Sequence, residues 1–213
     1  MIRLAIIGAG DLGQLIAHHA PSCGAFQVAG FYDDFANIGS QVKKWQVLGP
    51  LSEIEAGFKR GVFDQLMVAI GYNHMRFRKE TFERFLPTIP FARLIHQNAY
   101  VDSSVKVGAG CFVLPGCTVD AHAILGDNVL LNTGSVIAHD TTIGSHTFCA
   151  PAVAVAGKTT IGSCCIIGLN STIIDNLNIC DFTRIAAGAV VNQAITEAGM
   201  YAGVPAVLKK RFE

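Results

Sequence analysis

Two patterns of apolar and polar positions divide the chain. From Met1 to about Phe91, short apolar runs alternate with segments of helical character. Helices are predicted from about Leu12 to Ala20 and from about His74 to Phe85. Buried strands are indicated by the runs RLAII, FQVAGFYD and QLMVAIG. Strands that alternate with helices in this way predict a small α/β domain with a parallel sheet.

From Ile95 onward a branched aliphatic residue returns at every sixth position, and no insertion breaks the register. Only Cys149 departs from the aliphatic rule. The residue two positions earlier is small in nearly every repeat, Leu177 being the large exception. The series consists of Ile95, Val101, Val107, Val113, Val119, Leu125, Leu131, Ile137, Ile143, Cys149, Val155, Ile161, Ile167, Ile173, Ile179, Ile185 and Val191. A period of six predicts short strands, three to a turn, in a triangular parallel β-helix of about five coils.

The repeat also predicts which side chains point inward. A branched residue that alternates with a small one describes a short strand ending in a tight corner. Turn-forming residues follow the branched residue directly in several repeats and are predicted to form the corners: Gly108, Gly126, Asn132, Gly144 and Gly162. The two patterns together predict a first domain over residues 1–93 and a β-helix with a C-terminal tail over residues 94–213.

Composition narrows the range of partners. The chain carries 16 basic and 16 acidic residues with no basic block, which argues against nucleic acid or an anionic membrane surface. The mean hydropathy is +0.41, but long uncharged stretches are rich in Gly, Ser, Thr and His, so we expect no membrane span. No signal-peptide layout opens the chain, and the seven cysteines lack paired metal spacing. We therefore expect a reduced, cytoplasmic protein without a metal.

A glycine-rich turn in the first domain indicates a phosphate-binding loop. Gly8-Ala9-Gly10-Asp11-Leu12-Gly13 matches GxGxxG between a predicted strand and a predicted helix. Asp33 and Asp34 follow the next strand, where a carboxylate can hold a ribose hydroxyl. The domain is too short for a two-halved dinucleotide sheet, so a mononucleotide site is favoured over NAD. Gly71, Asn73 and Arg76 are predicted to face the same crevice, although Arg76 fits a solvated helix residue equally well.

His139 is the candidate catalytic residue of the repeats. It lies two residues after Ile137, at a predicted corner, with Asp140 beside it to orient the ring. Residues eighteen apart stack in adjacent coils, which predicts that Gly157 lies next to His139. A solvated corner histidine is the alternative. His122 and His146 are also expected to be exposed, and the cysteines of the repeats are expected to act as compact inward-facing apolar groups.

These motifs resemble one family over essentially the whole chain. GAGDLGQ, FYDD, AIGYNHMR, NTGSVIAHD, the uninterrupted hexads and GVPAVLKKR are similar to bacterial nucleotide-sugar acyltransferases, in which a Rossmann-like domain precedes a left-handed β-helix. The family includes N-acetyltransferases of UDP-, GDP- or dTDP-linked amino-dideoxy sugars for surface glycans such as lipopolysaccharide or O-antigen. Other relatives are sialic acid O-acetyltransferases. The resemblance implies a homotrimer that uses acetyl-CoA, with the 4-amino position of the sugar as the expected acceptor.

The resemblance also implies roles for individual residues. His139 corresponds to the general base and Asp140 to its acidic partner. Asn132 corresponds to a contact near the acceptor, and Gly157 with Lys158 to contacts with acetyl-CoA. Lys209 and Arg211 in the tail are candidate partners for CoA phosphates, a solvated basic tail being the alternative.

Two departures from the family pattern leave the sugar open, because Leu12 and Phe148 stand where some members carry histidine. Three rival functions also remain: an NAD-linked oxidoreductase, a noncatalytic nucleotide-sugar-binding scaffold, and a serine-type O-acetyltransferase.

Overall fold

The structure, a computed structural model, describes residues 1–212. The chain forms two compact units, Met1–His96 and Gln97–Glu213, the last residue lying outside the described part. Over the described residues, no helix is long and apolar enough to cross a membrane.

The first unit is a small α/β domain. Its sheet has the order β3-β4-β2-β1-β5, with β1, β2, β4 and β5 parallel and β3 antiparallel to β4. The strands of this sheet are β1 (Ile2–Ile7), β2 (Phe26–Tyr32), β3 (Gln41–Val42), β4 (Trp45–Gly49) and β5 (Gln65–Val68); the short β6 (Leu94–Ile95) is not part of it. The α-helices are α1 (Asp11–His19), α2 (Ile54–Lys59) and α3 (Met75–Phe85), and 3₁₀ turns span Ala20–Ser22, Leu51–Glu53 and Tyr72–His74. The prediction of a small α/β domain is thus confirmed, whereas β3, β4 and α2 were not predicted.

Close packing of α1 on β1 depends on glycine. Gly8 has a φ of +105°, a value that favours glycine, and it is the first residue of the connection between β1 and α1. Gly13 is buried, and a Cβ there would collide with the Gly8 carbonyl oxygen. This glycine therefore serves the close approach of helix to strand, and the assignment of Gly13 to substrate contact stays a prediction.

The second unit is a parallel β-helix with three faces. Face A consists of β7 (Tyr100–Val101), β10 (Thr118–Val119), β13 (Val136–Ile137), β16 (Ala154–Val155), β19 (Thr172–Ile173) and β22 (Val190–Val191). Face B consists of β8 (Lys106–Val107), β11 (Ile124–Leu125), β14 (Thr142–Ile143), β17 (Thr160–Ile161) and β20 (Asn178–Ile179). Face C consists of β9 (Phe112–Val113), β12 (Leu130–Leu131), β15 (Phe148–Cys149), β18 (Ile166–Ile167), β21 (Arg184–Ile185), β23 (Gly199–Ala202) and the antiparallel β24 (Val207–Arg211). From β7 to β22, neighbours in a face pair residues eighteen apart, as Ile137 with Val155.

The core of the β-helix contains the residues that the six-residue period selects. From Val113 to Val191 every residue of the series is buried, Cys149 included. The small residues two positions earlier are also inward, and their polar atoms reach the next coil. Thr141 Oγ1 donates to Ala156 O at 3.1 Å, and Thr147 Oγ1 donates to Gly162 O at 2.8 Å. The Cys117 and Cys165 thiols make the same bond, to Asn132 O and Cys180 O, so these cysteines are donors as well as compact apolar groups.

The corners differ from the sequence-based prediction. The residue with positive φ lies three positions after the branched core residue: Asn128, Asp140, His146, Ala152, Lys158, Cys164, Asn170, Asn176 and Phe182 all have φ between 55° and 65°. Gly108, Gly126, Gly144 and Gly162, which were predicted to make the turns, lack this conformation. They stack on one another, and a Cβ on Gly144 would lie 2.5 Å from the Gly162 carbonyl carbon. These glycines are required by coil spacing rather than by turn geometry.

Candidate functional site

A crevice of about 430 Å³ opens at the carboxyl ends of β1, β2 and β5 in the first unit. This is the edge where parallel sheets with helical connections bind ligands. Gly8, Gly10, Asp33, Asp34 and Gly71 line the crevice, as the sequence predicts. Nothing lies within 4 Å of the position of a Cβ on Gly10 or Gly71, so both leave open space for a ligand.

The two aspartates after β2 have different surroundings. Asp33 accepts backbone N–H groups from Ala9, Phe35 and Ala36 at 2.8, 2.8 and 3.0 Å, which ties the glycine loop to the loop after β2. Asp34 is exposed and accepts one backbone N–H, from Leu51 to Oδ1 at 2.8 Å. Asp34 therefore keeps acceptor capacity for a ligand, whereas Asp33 shapes the crevice.

Three predicted residues do not line the crevice. Asp11 is exposed in the first turn of α1, and Asn73 and Arg76 are exposed near the start of α3. His74 and Phe77 take their place, because Met75 and Arg78 turn inward and set the rotation of the helix. Phe35, which is 96% exposed, also lines the crevice and was missed. The available signal was an aromatic residue directly after the aspartate pair.

His139 and Asp140 form an exposed pair at the corner between faces A and B. His139 Nδ1 lies 2.8 Å from Asp140 Oδ2, and the side chains are 52% and 45% exposed. The His139 hydrogen bond lowers the pKa of the Asp140 carboxyl, and the nearby His122 and Lys158 act in the same direction. A carboxylate that accepts from Nδ1–H leaves Nε2 as the basic nitrogen of the ring.

Gly157 lies against the His139 ring, as the eighteen-residue spacing predicts. A Cβ on Gly157 would be 2.7 Å from Nε2 and 2.8 Å from Cε1. Lys158 N donates to His139 O at 3.0 Å, which fixes the two coils in register. Within residues 1–212 the Gly157 amide donates no hydrogen bond, so this N–H is available beside the basic nitrogen.

The structure separates Asn132 from His139. Asn132 lies between faces C and A, where its Oδ1 accepts the Thr133 N–H at 2.8 Å, and strand β13 separates that corner from His139. His146, which was expected to be exposed, is buried, and its Nδ1 is 3.1 Å from Asn128 Nδ2. The prediction failed because His146 lies in a buried column with Asn128 and Cys164, the equivalent residues of the adjacent coils. His122 is exposed, as expected.

The tail and the cysteines add less chemistry. Lys209 is exposed on β24, and Arg211 pairs with Glu197. Burial raises the pKa of the Cys165 thiol to about 12 and raises that of Cys149 further, which makes both poor nucleophiles. Within the described 212 residues, no group of three or more His, Cys, Asp or Glu side chains has the geometry to hold a metal ion.

Comparisons with known proteins agree with this architecture. Residues 3–85 match the PglD N-terminal domain family. The chain is 38% identical over 104 residues to a UDP-3-O-acylglucosamine N-acyltransferase of Bordetella avium, a match that covers 49% of this chain and 28% of that protein. The chain thus spans less than a third of the length of the curated relatives it matches.

Two solved structures are similar over nearly their whole length. The acetyltransferase domain of PglB from Neisseria gonorrhoeae FA1090 superimposes with a TM-score of 0.90 at 27% identity, covering 98% of this chain and 100% of that domain. PerB from Caulobacter crescentus, solved with CoA and GDP-perosamine, has a TM-score of 0.89 at 29% identity, with 97% and 96% covered.

The fold and the six-residue series are those of a hexapeptide-repeat protein, and the proteins named above that it resembles are acyltransferases or contain an acetyltransferase domain. The resemblance found in the sequence is confirmed. Within that superfamily, the similarities support a nucleotide-sugar acetyltransferase.

Proposed function

We propose that this protein transfers an acetyl group from acetyl-CoA to the amino group of a nucleotide-linked amino-dideoxy sugar, the 4-amino position being the expected acceptor. The observation that carries the proposal is the His139 corner. The ring is held by Asp140 through Nδ1, and its Nε2 lies beside Gly157, whose amide is available. A positioned base next to a backbone donor is the arrangement that direct acyl transfer requires.

The reaction proceeds in one site without an acyl-enzyme. The sugar nitrogen is an ammonium at neutral pH, and His139 Nε2 accepts one of its protons to give the amine. The amine attacks the thioester carbonyl carbon, and its second proton passes to solvent as the amide forms. The Gly157 N–H stabilises the negative charge that develops on the carbonyl oxygen. When the tetrahedral intermediate collapses, the C–S bond breaks and the proton on Nε2 is transferred to the departing sulfur. Asp140 keeps the ring in the required tautomer and stabilises its cationic form.

The crevice of the first unit supports a nucleotide-linked acceptor. Gly8 and Gly10 border it with open backbone, and Asp34 presents a carboxylate suited to a ribose or a base. The similar PerB structure holds GDP-perosamine and CoA. We further propose that the first unit is Rossmann-like and binds the nucleotide, that the β-helix is left-handed, and that the protein acts in the cytoplasm.

Acetyl transfer is tested by following CoA thiol release from acetyl-CoA with UDP-, GDP- and dTDP-linked 4-amino sugars. Release with an amino sugar, and none with the 4-hydroxy sugar of the same nucleotide, supports N-acetylation. A sugar or sialic acid O-acetyltransferase is the alternative, and turnover of the 4-hydroxy sugar or of sialic acid would favour it. If the protein binds a nucleotide sugar but no acceptor gives release of the CoA thiol, the result would indicate a noncatalytic scaffold.

The active protein is expected to be a homotrimer with sites between neighbouring β-helices. Asn132 and His139 lie at different corners of one chain. If both contact one acceptor, they have to come from two copies. Light scattering at micromolar concentration should give three times the mass of one 22.6 kDa chain. An active monomer would contradict a site shared between copies.

Asp34 is expected to act in acceptor binding alone. Asp34→Ala should raise the KM for the nucleotide sugar about 10- to 100-fold, since a lost charged hydrogen bond costs about 1.5–3 kcal/mol. The KM for acetyl-CoA should hardly change. Asp34→Asn is the matched control, because an amide oxygen can still accept the Leu51 N–H and preserve the loop. A loss of acetyl-CoA binding with an unchanged KM for the nucleotide sugar would show that the crevice has been assigned to the wrong substrate.

A further inference from the structure

The nucleotide crevice continues into a second lobe of about 360 Å³. The two lobes share Asp34, Leu51 and Phe77 as their border. Beyond that border the lining residues are Ser52, Glu80, Thr81, Arg84 and Phe85. The second lobe thus adds a carboxylate and a guanidinium to a crevice whose first lobe is glycine-rich.

One face of α3 forms the wall of this lobe. Phe77, Glu80, Thr81 and Arg84 follow the spacing i, i+3, i+4 and i+7, which places them on one side of the helix. Thr81 is buried, whereas Glu80 and Arg84 are exposed at the rim. This spacing gives the lobe an apolar floor and a rim with one acceptor group and one donor group.

The charged groups of the rim are not committed to protein partners. Over residues 1–212, the side chains of Glu80 and Arg84 take part in no ion pair or hydrogen bond, and the Arg84 guanidinium lies 4.7 Å from the ring centroid of Phe85. On the adjacent side of α3, by contrast, Lys79 Nζ pairs with Glu83 Oε1 at 3.7 Å. Glu80 and Arg84 are therefore free to bind a ligand that presents both donors and acceptors.

We propose that this lobe holds the base of the nucleotide sugar and that Glu80 and Arg84 select guanine. The inference rests on the proposed function, because it assumes a nucleotide in the crevice. Guanine presents two adjacent donors, N1–H and the 2-amino group, which a carboxylate accepts together. It also presents O6 and N7 as acceptors, the pair that an arginine fork recognises. Phe77 supplies an apolar surface, 46% exposed, against which a base can stack.

The other bases match the rim less well. Uracil and thymine offer a single ring N–H between two carbonyl oxygens, and those oxygens would face the Glu80 carboxylate unfavourably. Adenine offers a donor in its 6-amino group but lacks the paired donors. Hypoxanthine keeps the guanine ring and O6 but lacks the 2-amino group, so it isolates one contact to the carboxylate.

Calorimetric titration of the full chain with GDP, IDP, ADP, UDP and dTDP tests the proposal without depending on catalysis. We expect GDP to bind more tightly than IDP, UDP or dTDP by about 10- to 100-fold, the range for one charged hydrogen bond. Glu80→Ala should reduce the preference for GDP over IDP to about 2-fold or less, and UDP affinity should rise, because the uracil oxygens no longer face a carboxylate. Glu55→Ala, an exposed carboxylate on α2 outside both lobes, is the matched control and should keep the preference.

The outcomes separate this inference from the proposed function. If UDP or dTDP binds more tightly than GDP, guanine selection is wrong, but the proposal that the crevice binds a nucleotide still stands. An unchanged preference for GDP over IDP in Glu80→Ala also overturns the assignment to this rim. If no nucleoside diphosphate binds, both the inference and the nucleotide-linked acceptor are wrong.

Discussion

Replacing His139 with Ala is expected to lower kcat by about 10²–10⁴ while the protein folds and assembles normally. The side chain is half exposed at a corner and makes no contribution to the buried rows of the β-helix, so its loss costs the fold little. Steady-state kinetics at neutral pH give the change in rate, and thermal unfolding with light scattering checks the fold. Turnover close to the wild-type value would exclude His139 as the base.

The pH dependence distinguishes proton removal from positioning. The loss in His139→Ala should shrink as pH rises toward the pKa of the sugar amine, where free amine forms without an enzymic base. A loss that is independent of pH would indicate positioning alone. Because the pKa of Asp140 is lowered, its carboxylate stays ionised down to more acid pH and is lost only as pH falls through that lowered value, so it does not explain a change above neutrality.

Asp140→Asn is the control within the same corner, and it should reduce kcat less than His139→Ala. Asp140 has a φ of +58°, a conformation that asparagine tolerates well. The variant therefore keeps the turn while it removes the charge that supports the protonated ring.

Gly157→Ala is expected to reduce kcat by about 10²-fold, because a ring displaced by about 1 Å loses the reactive geometry. Gly157 does not have a positive φ, so alanine brings no backbone strain. Among residues 1–212, only the His139 ring would lie within 3 Å of the added Cβ. The ring has to turn away from the new Cβ, which weakens the bond between Nδ1 and Asp140. The amide of residue 157 is retained, so the effect reports the position of the base.

A double-mutant cycle shows whether the ring carries this effect. Once His139 has been replaced by Ala, adding Gly157→Ala should lower kcat no further, because the colliding ring is gone. Rates for the wild type, both single variants and the double variant complete the cycle. Additive losses would show that Gly157 acts independently of His139.

Much of the fold can be predicted because its periodicities are simple. The six-residue series selects the core of the β-helix because every inward branched residue serves the same steric purpose in each coil. The corner position of His139 and its contact with Gly157 follow from the same arithmetic. The small inward residues are also predictable, but their hydrogen bonds to the next coil are not. The six-residue pattern selects these positions by size alone, and size does not show that a Thr hydroxyl or a Cys thiol will donate to a carbonyl oxygen.

The remaining features depend on three-dimensional detail. The sequence around Asn128, GDNVLL, does not show that this side chain is buried in contact with His146 of the next coil. Asp33 shapes the crevice and Asp34 keeps acceptor capacity for a ligand, and this difference depends on which backbone N–H groups donate to each carboxylate. Arg76 and Phe77 differ by one position, yet the rotation of α3 decides which of them lines the crevice.

The eighteen-residue pairing between coils constrains how this half of the chain can change in length. Removing six or twelve residues between His139 and Gly157 would carry every later residue to a different corner, so that Gly157 would no longer meet His139. Removing or adding eighteen returns each later side chain to its own edge. Length in such an array is therefore quantised, and a longer or shorter relative can preserve the same reactive corner only by gaining or losing whole coils.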